Sequence, residues 1–220
     1  MQVRTKQKRR AGRPRKFDEG EALDSMRRQL WRTGLSGTSI EAIARSAGLN
    51  RPSLATAFGD KAVIYAKAAA QYGKMMDTRL REAMADEDLT TALTNAFETA
   101  IAIYTENGPN GCFITSTAPA ETLTSPVVRA ILERALHDID ALFLERLEKE
   151  PGKRPADLPL LAAQLGATLH SLSLRARAGW PRDKLQSLAS GTIRSVLASY
   201  GNPGRGARSY AARRDRKRSA

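Results

Sequence analysis

The sequence predicts an all-α fold, and three observations carry that expectation. Apolar residues recur at spacings of three and four along most of the chain, the period of a helix with one buried stripe. No stretch alternates apolar and polar residues strongly enough to compete as a strand. Breakers fall between the periodic runs, at Gly34, Gly48, Asn107–Gly111, Pro151–Pro155 and Gly179. The expected organisation is a three-helix unit with a helix-turn-helix over residues 17–62, then an all-helical domain over 63–200. Basic segments without periodic hydrophobes, 1–16 and 201–220, flank them and read as disordered.

The first helix runs from Asp18 to Thr33, with Ala22, Leu23, Met26, Leu30 and Trp31 on one stripe. Its arginines Arg27, Arg28 and Arg32 suit either phosphate contact or plain solvation. A second, short helix follows. Thr38 or Ser39 supplies a hydroxyl cap, and Glu41, three residues after Thr38, completes a capping-box pattern. Ile40, Ile43 and Ala44 form its apolar face. Gly48 supplies the positive φ that a sharp turn needs. Asn50 caps a third helix, with Pro52 in its first turn, where the missing N–H costs nothing. Leu54 and Phe58, four apart, pack back on Ile40 and Ile43. Asn50, Arg51, Ser53, Thr56 and Ala57 then face outward, a surface small enough to enter a DNA major groove.

A long helix begins at Lys61 and runs to about Met84, with Ala62, Ile64, Tyr65, Ala69 and Tyr72 as packing residues. Asp88 or Thr90 caps the next, Leu89–Glu106. Cys112–Thr122 is a short helix interrupted at Pro119. Ser125 caps a helix that has Pro126 at its first position and reaches about Glu150. Leu158–Ala178 and Arg182–Tyr200 are the last two.

At the helix-turn-helix the chain resembles the tetracycline-repressor (TetR) family of bacterial transcriptional regulators. The resemblance rests on Gly34, Thr38-Ser39-Ile40, Ile43-Ala44, Ala47-Gly48-Leu49, Leu54, Phe58, Lys61 and Val63-Ile64 as a set. It covers about residues 17–65. One position departs: the family often has a phosphate-touching tyrosine after the recognition-helix leucine, and here that residue is Ala55. Gly111-Cys112-Phe113-Ile114 resembles, more loosely, a stretch of the family's C-terminal domains.

The resemblance implies a palindromic double-stranded operator bound by a homodimer, and a C-terminal domain that binds a small effector and dimerises through the last two helices. Small residues Ala163, Gly166, Ala167, Ser171 and Ser173 permit close approach there. It implies a cytoplasmic, nucleoid-associated, ligand-released repressor in which effector binding tilts the long helix. The candidate DNA-contacting set is Thr38, Ser39, Asn50, Arg51, Pro52, Ser53, Thr56, Ala57 and Lys61, the last matching the family's phosphate-contacting lysine. Candidates for the effector pocket are Phe97, Ile101, Tyr104, Cys112, Phe113, Thr117, Phe143 and His170. Few are charged, so an apolar or aromatic effector is expected, with Tyr104, Thr117 or His170 as polar handle.

Charge supports the same division. The net charge is +13, of which residues 1–16 carry +8 and residues 201–220 carry +6, leaving the body near neutral. Residues 77–200 are net acidic, unlike a DNA-tracking surface. In the N-terminal arm, Gly12-Arg13-Pro14-Arg15 resembles the core of an AT-hook. An extended backbone there places Arg13 and Arg15 to enter a narrow A·T minor groove.

No apolar run reaches the roughly 18 residues of a membrane span. A single cysteine gives no intramolecular disulfide, and no metal-ligand spacing or cofactor motif is present. Cys112 at a helix start is either a reactive sensor thiol or a small buried residue. Two other readings are weaker: an architectural DNA binder driven by the basic tails, and an enzyme pairing Cys112 with His170 or His137. The second lacks any local catalytic signature.

Overall fold

The computed structural model describes residues 17–105, 111–151, 155 and 157–201. The arm residues Arg13 and Arg15 lie outside the described residues, as does almost all of the C-terminal basic segment.

The described residues form α1 (Glu19–Thr33), α2 (Ile40–Ser46), α3 (Arg51–Phe58), α4 (Lys61–Ala83), α5 (Leu89–Thr105), α6 (Phe113–Thr117), α7 (Pro126–Glu148), α8 (Leu158–Arg177) and α9 (Arg182–Gly201). A 3-10 turn, Pro119–Glu121, follows α6. Side-chain caps start many of these helices. Asp18 accepts from the Glu21 N–H at 2.8 Å, Asn50 from Ser53 at 2.9 Å and Asp60 from Val63 at 2.9 Å. Ser125 and Asp157 do the same for α7 and α8. Each cap satisfies one of the N–H groups that a helix start leaves orphaned.

The start of α2 corrects the sequence reading. Ser39, not Thr38, is the cap, accepting from Ala42 at 3.1 Å. Glu41 therefore sits one residue too early for a capping box. It pairs instead with Arg51 across the turn, at 3.1 Å. Thr38 points inward: it is 2% exposed, and its hydroxyl lies against the Gly34 carbonyl and the Thr33 hydroxyl. The turn between α2 and α3 passes through Gly48 at φ +66°, a conformation costly for any residue with a Cβ.

α4 is the shared wall of the molecule. It packs against α1 at one end and against α5 and α7 further along. α7, α8, α5 and α9 form the rest of the helical body. One continuous apolar core runs from Ala22 through Leu54, Tyr65, Phe97 and Phe143 to Val196. Burying each large side chain in it contributes about 1.5–3 kcal/mol.

Candidate nucleic-acid interface and cavity

The eight-residue α3 divides cleanly. Leu54 and Phe58 are buried against the three-helix core, and the Phe58 ring meets Phe17 at 6.0 Å. Asn50, Arg51, Pro52, Ser53, Ala55 and Thr56 are exposed. Ala57, expected outside, is half-buried and rests on the core, because its Cβ lies beside the Phe58 stripe. The Thr56 hydroxyl donates to the Pro52 carbonyl at 2.9 Å, leaving its methyl and oxygen outward. Arg51 and Glu41 are both well exposed, so their pair is worth at most about 1 kcal/mol and gives way readily to a phosphate. Lys61, half-buried, opens α4 directly behind the Asp60 cap. Ser39 is exposed at the start of α2, whereas the inward Thr38 has no side chain to offer DNA.

Lys67 was not among the expected residues. Its ammonium donates to the Phe58 carbonyl at 3.3 Å and lies over the Phe58 ring at 5.5 Å. It ties the end of α3 to α4. Nothing local in the sequence marks that bond, which spans nine residues and a turn.

A cavity of about 670 Å³ opens between α4 and α7. Tyr72 and Met76 of α4, Ile131, Ile139 and Leu142 of α7, Tyr104, Cys112, Thr115, Leu169 and His170 line it. Three of the eight expected pocket residues are therefore in the wall: Tyr104, Cys112 and His170. The other five lie elsewhere. Phe97 and Phe143 stack on each other at 5.8 Å inside the core, and Ile101 is fully buried. Phe113 turns toward α1 and α4, and Thr117 bonds the Tyr65 hydroxyl at 2.9 Å. Large aromatic side chains at helical spacing fill core before they line space, which is why composition alone misplaces them. Tyr72 was expected only as packing, yet it faces the cavity.

The polar atoms of that wall are unevenly satisfied. Cys112 N–H and the Thr115 hydroxyl both meet Ser173 Oγ, at 2.7 and 2.9 Å. Tyr72 is 1% exposed, and its Oη has no hydrogen-bond partner. It lies beside Cys112 and the Phe113 backbone, but neither reaches hydrogen-bonding geometry. Burial pushes the Tyr72 and Tyr104 phenols well above their ordinary range, so both stay protonated. The Nε2 of His170 is also buried without a partner. Burial lowers the His170 pKa, with nearby Asp140 opposing, so the ring is neutral at pH 7. His137 is on the surface beside Asp138, away from the cavity wall.

Between cavity and reading surface stands an aromatic junction. Trp31 of α1 meets Tyr72 edge-on at 5.3 Å and Phe113 at 6.0 Å. Arg27, paired with Asp24, lies over both the Trp31 and Tyr72 rings, at 5.3 and 5.6 Å. It is thus neither a phosphate contact nor a solvated group. Tyr65 packs on Phe113 at 5.3 Å, and burial raises its pKa to about 12.

Two polar links span the same junction. The Glu121 carboxylate, 8% exposed, accepts from the Ser36 N–H at 2.9 Å and the Ser36 hydroxyl at 2.7 Å. Arg177 of α8 donates to the Trp31 carbonyl at 3.0 Å. The loop that leads into α2 is therefore held by the turn that follows α6.

The family model "Bacterial regulatory proteins, tetR family" matches residues 22–68, from the first turn of α1 to the second turn of α4. The chain is 27% identical over 195 residues to the HTH-type transcriptional repressor ComR of Escherichia coli (strain K12), covering 83% of this chain and 90% of ComR. It is 23% identical over 200 residues to the HTH-type transcriptional repressor BdcR of the same organism, covering 89% and 98%. Among solved structures it is similar to a cysteine mutant of the TetR family regulator CifR complexed with 26 bp double-strand operator DNA. That likeness has a TM-score of 0.77 and 26% identity over 83% of this chain and 98% of CifR.

Residues 22–68 are a tetR-family segment, and over most of its length the chain is similar to repressors of that type. Its matched segment contains the whole reading surface and stops at Ala68, where the cavity wall is only beginning. The family model thus covers α1–α3 and the entry of α4, and most of the cavity wall lies beyond it. No helix among the described residues is long and apolar enough to cross a membrane.

Proposed function

We propose that this chain is a homodimeric TetR-family transcriptional repressor that binds a palindromic operator and leaves it when a small molecule fills the α4–α7 cavity. The observation that carries the DNA half is the face of α3: short, exposed, almost free of bulky side chains, and preceded by an exposed Ser39. Arg51, Ser53 and Thr56 read base edges or adjoining backbone, and Lys61 anchors a phosphate. Its place of action is the nucleoid, in the cytoplasm. It acts as a regulator and not as an enzyme: Cys112 and His170 share a wall, but His170 Nε2 has no hydrogen-bond partner and so does not engage the thiol.

The dimer reading draws on α8. Leu160, Ala167 and Leu174 are exposed at seven-residue intervals, an apolar stripe along one face of a long helix. Gly166 and Ser173, expected at the interface, serve inside the subunit instead. Gly166 has Asp140 so close that a Cβ would meet its carboxylate at 2.1 Å, and Ser173 bonds Cys112 and Thr115.

Release follows from the junction. A molecule that displaces Tyr72 or α6 pushes on Trp31 and on the Glu121–Ser36 link, and so shifts the pose of α1–α3 relative to α4. The effector stabilises one of two poses and DNA the other, so each weakens the other's binding.

The test is selection of bound sequences from random DNA, followed by competition with unrelated DNA. A palindromic consensus bound by a dimer is expected. Binding without sequence preference, with only a steep salt dependence, would leave the architectural reading in its place. Swapping A·T flanks for G·C, with and without residues 1–16, tests the arm: a flank preference that disappears on truncation assigns Arg13 and Arg15 to the minor groove.

A further inference from the structure

We infer that the α4–α7 cavity takes an uncharged, mainly apolar or aromatic molecule bearing one hydroxyl or carbonyl group, and that Tyr72 and His170 hold that group. The inference rests on the reading of this cavity as the effector site and adds the chemistry of its occupant. Buried polar atoms in folded proteins are almost always paired. Here two atoms of one cavity wall, Tyr72 Oη and His170 Nε2, are buried and unpaired. The Tyr72 hydroxyl donates, and a neutral imidazole nitrogen either donates or accepts. Together they match a single hydroxyl or carbonyl, and neither brings a formal charge.

The rest of the wall argues against an ionised occupant. Its cations are all exposed: Arg81 is engaged by Asp77 at 2.9 Å and by Glu145 at 2.7 Å, Arg134 by Asp138 at 3.4 Å, and Lys74 stands in water. Met76, Ile114, Ile139, Leu142 and Leu169 give the same wall its aliphatic surface. A carboxylate placed against that surface loses its hydration with no buried cation to meet it. The volume, about 670 Å³, is that of a site for a molecule of two or three rings.

The experiment is calorimetric titration of the full chain with 1-naphthol, naphthalene and 1-naphthoate, three probes of one shape. 1-Naphthol is expected to bind at least tenfold more tightly than the other two. Tyr72→Phe should remove its advantage over naphthalene while leaving the affinity for naphthalene unchanged, which also shows that the variant is folded. His170→Leu should reduce the same advantage. Equal binding of 1-naphthol and naphthalene, tightest binding of 1-naphthoate, or an advantage that survives both substitutions would overturn the inference. If none of the three binds, the cavity is no site and the inference falls with it. If 1-naphthol binds as expected but operator affinity does not change, the inference stands and the release mechanism proposed above fails.

Discussion

On α3 the polar groups are engaged locally: Asn50 caps its own helix, Thr56 bonds the carbonyl four residues back, and Arg51 meets Glu41 across one turn. Around the cavity the opposite holds. Tyr72 Oη and His170 Nε2 come from helices nearly a hundred residues apart and neither meets a partner at hydrogen-bonding geometry. The first region is complete without DNA and presents a finished surface. The second holds the two unpaired atoms that the proposed effector would meet. A recognition surface in water tolerates exposed polar atoms cheaply, since water pairs them. A cavity does not, so its unpaired atoms report on what belongs there.

Four changes sharpen that contrast. The largest effect is expected from Phe58→Ala, which removes the aromatic side chain that seats α3 on the core and underlies Lys67. It should cost about 3–5 kcal/mol, read as a lowered midpoint in urea, with loss of operator binding. An unchanged midpoint would mean that α3 is held by its caps alone.

Glu121→Ala comes next. It removes the charged acceptor of the Ser36 N–H and hydroxyl, a buried carboxylate meeting an exposed serine. A loss of about 1–3 kcal/mol of stability is expected. The more telling readout is operator affinity with and without a bound effector: the difference between the two should shrink. If stability falls but the effector response stays whole, the link is structural and the signal travels through Trp31 and α4.

Arg51→Ala should weaken operator binding by about 1–3 kcal/mol, measured by gel shift, with the helical circular dichroism unchanged. Because its Glu41 partner is an exposed one, little stability should be lost. Parent-like operator binding would remove Arg51 from the reading set.

The smallest effect is expected at Lys61. Lys61→Ala should lower affinity about equally for operator and random DNA, and reduce the salt slope by about one unit. A loss confined to the operator would show that Lys61 reads sequence and not phosphate.

The sequence by itself determined the order and nearly the bounds of the helices, because caps, breakers and helical period act within a few residues. It indicated most of the outward face of α3 for the same reason: Arg51 to Phe58 is one short helix capped by Asn50, and of the residues expected outside only Ala57 is half-buried. Only the tertiary structure decided that Thr38 turns inward and that Ser39 takes the cap. Either hydroxyl could cap by sequence, and the packing that buries Thr38 to 2% exposure, its hydroxyl against the Gly34 carbonyl, leaves the cap to Ser39. Only the tertiary structure decided which aromatic residues fill core and which line space. Phe97, Phe143 and Phe113 find ring partners on other helices, whereas Tyr72, Tyr104, Cys112 and His170 converge where α4 and α7 stand apart. That separation depends on how five helices pack around one another. No local run of residues encodes it, and so the cavity, unlike the reading helix, is legible only in three dimensions.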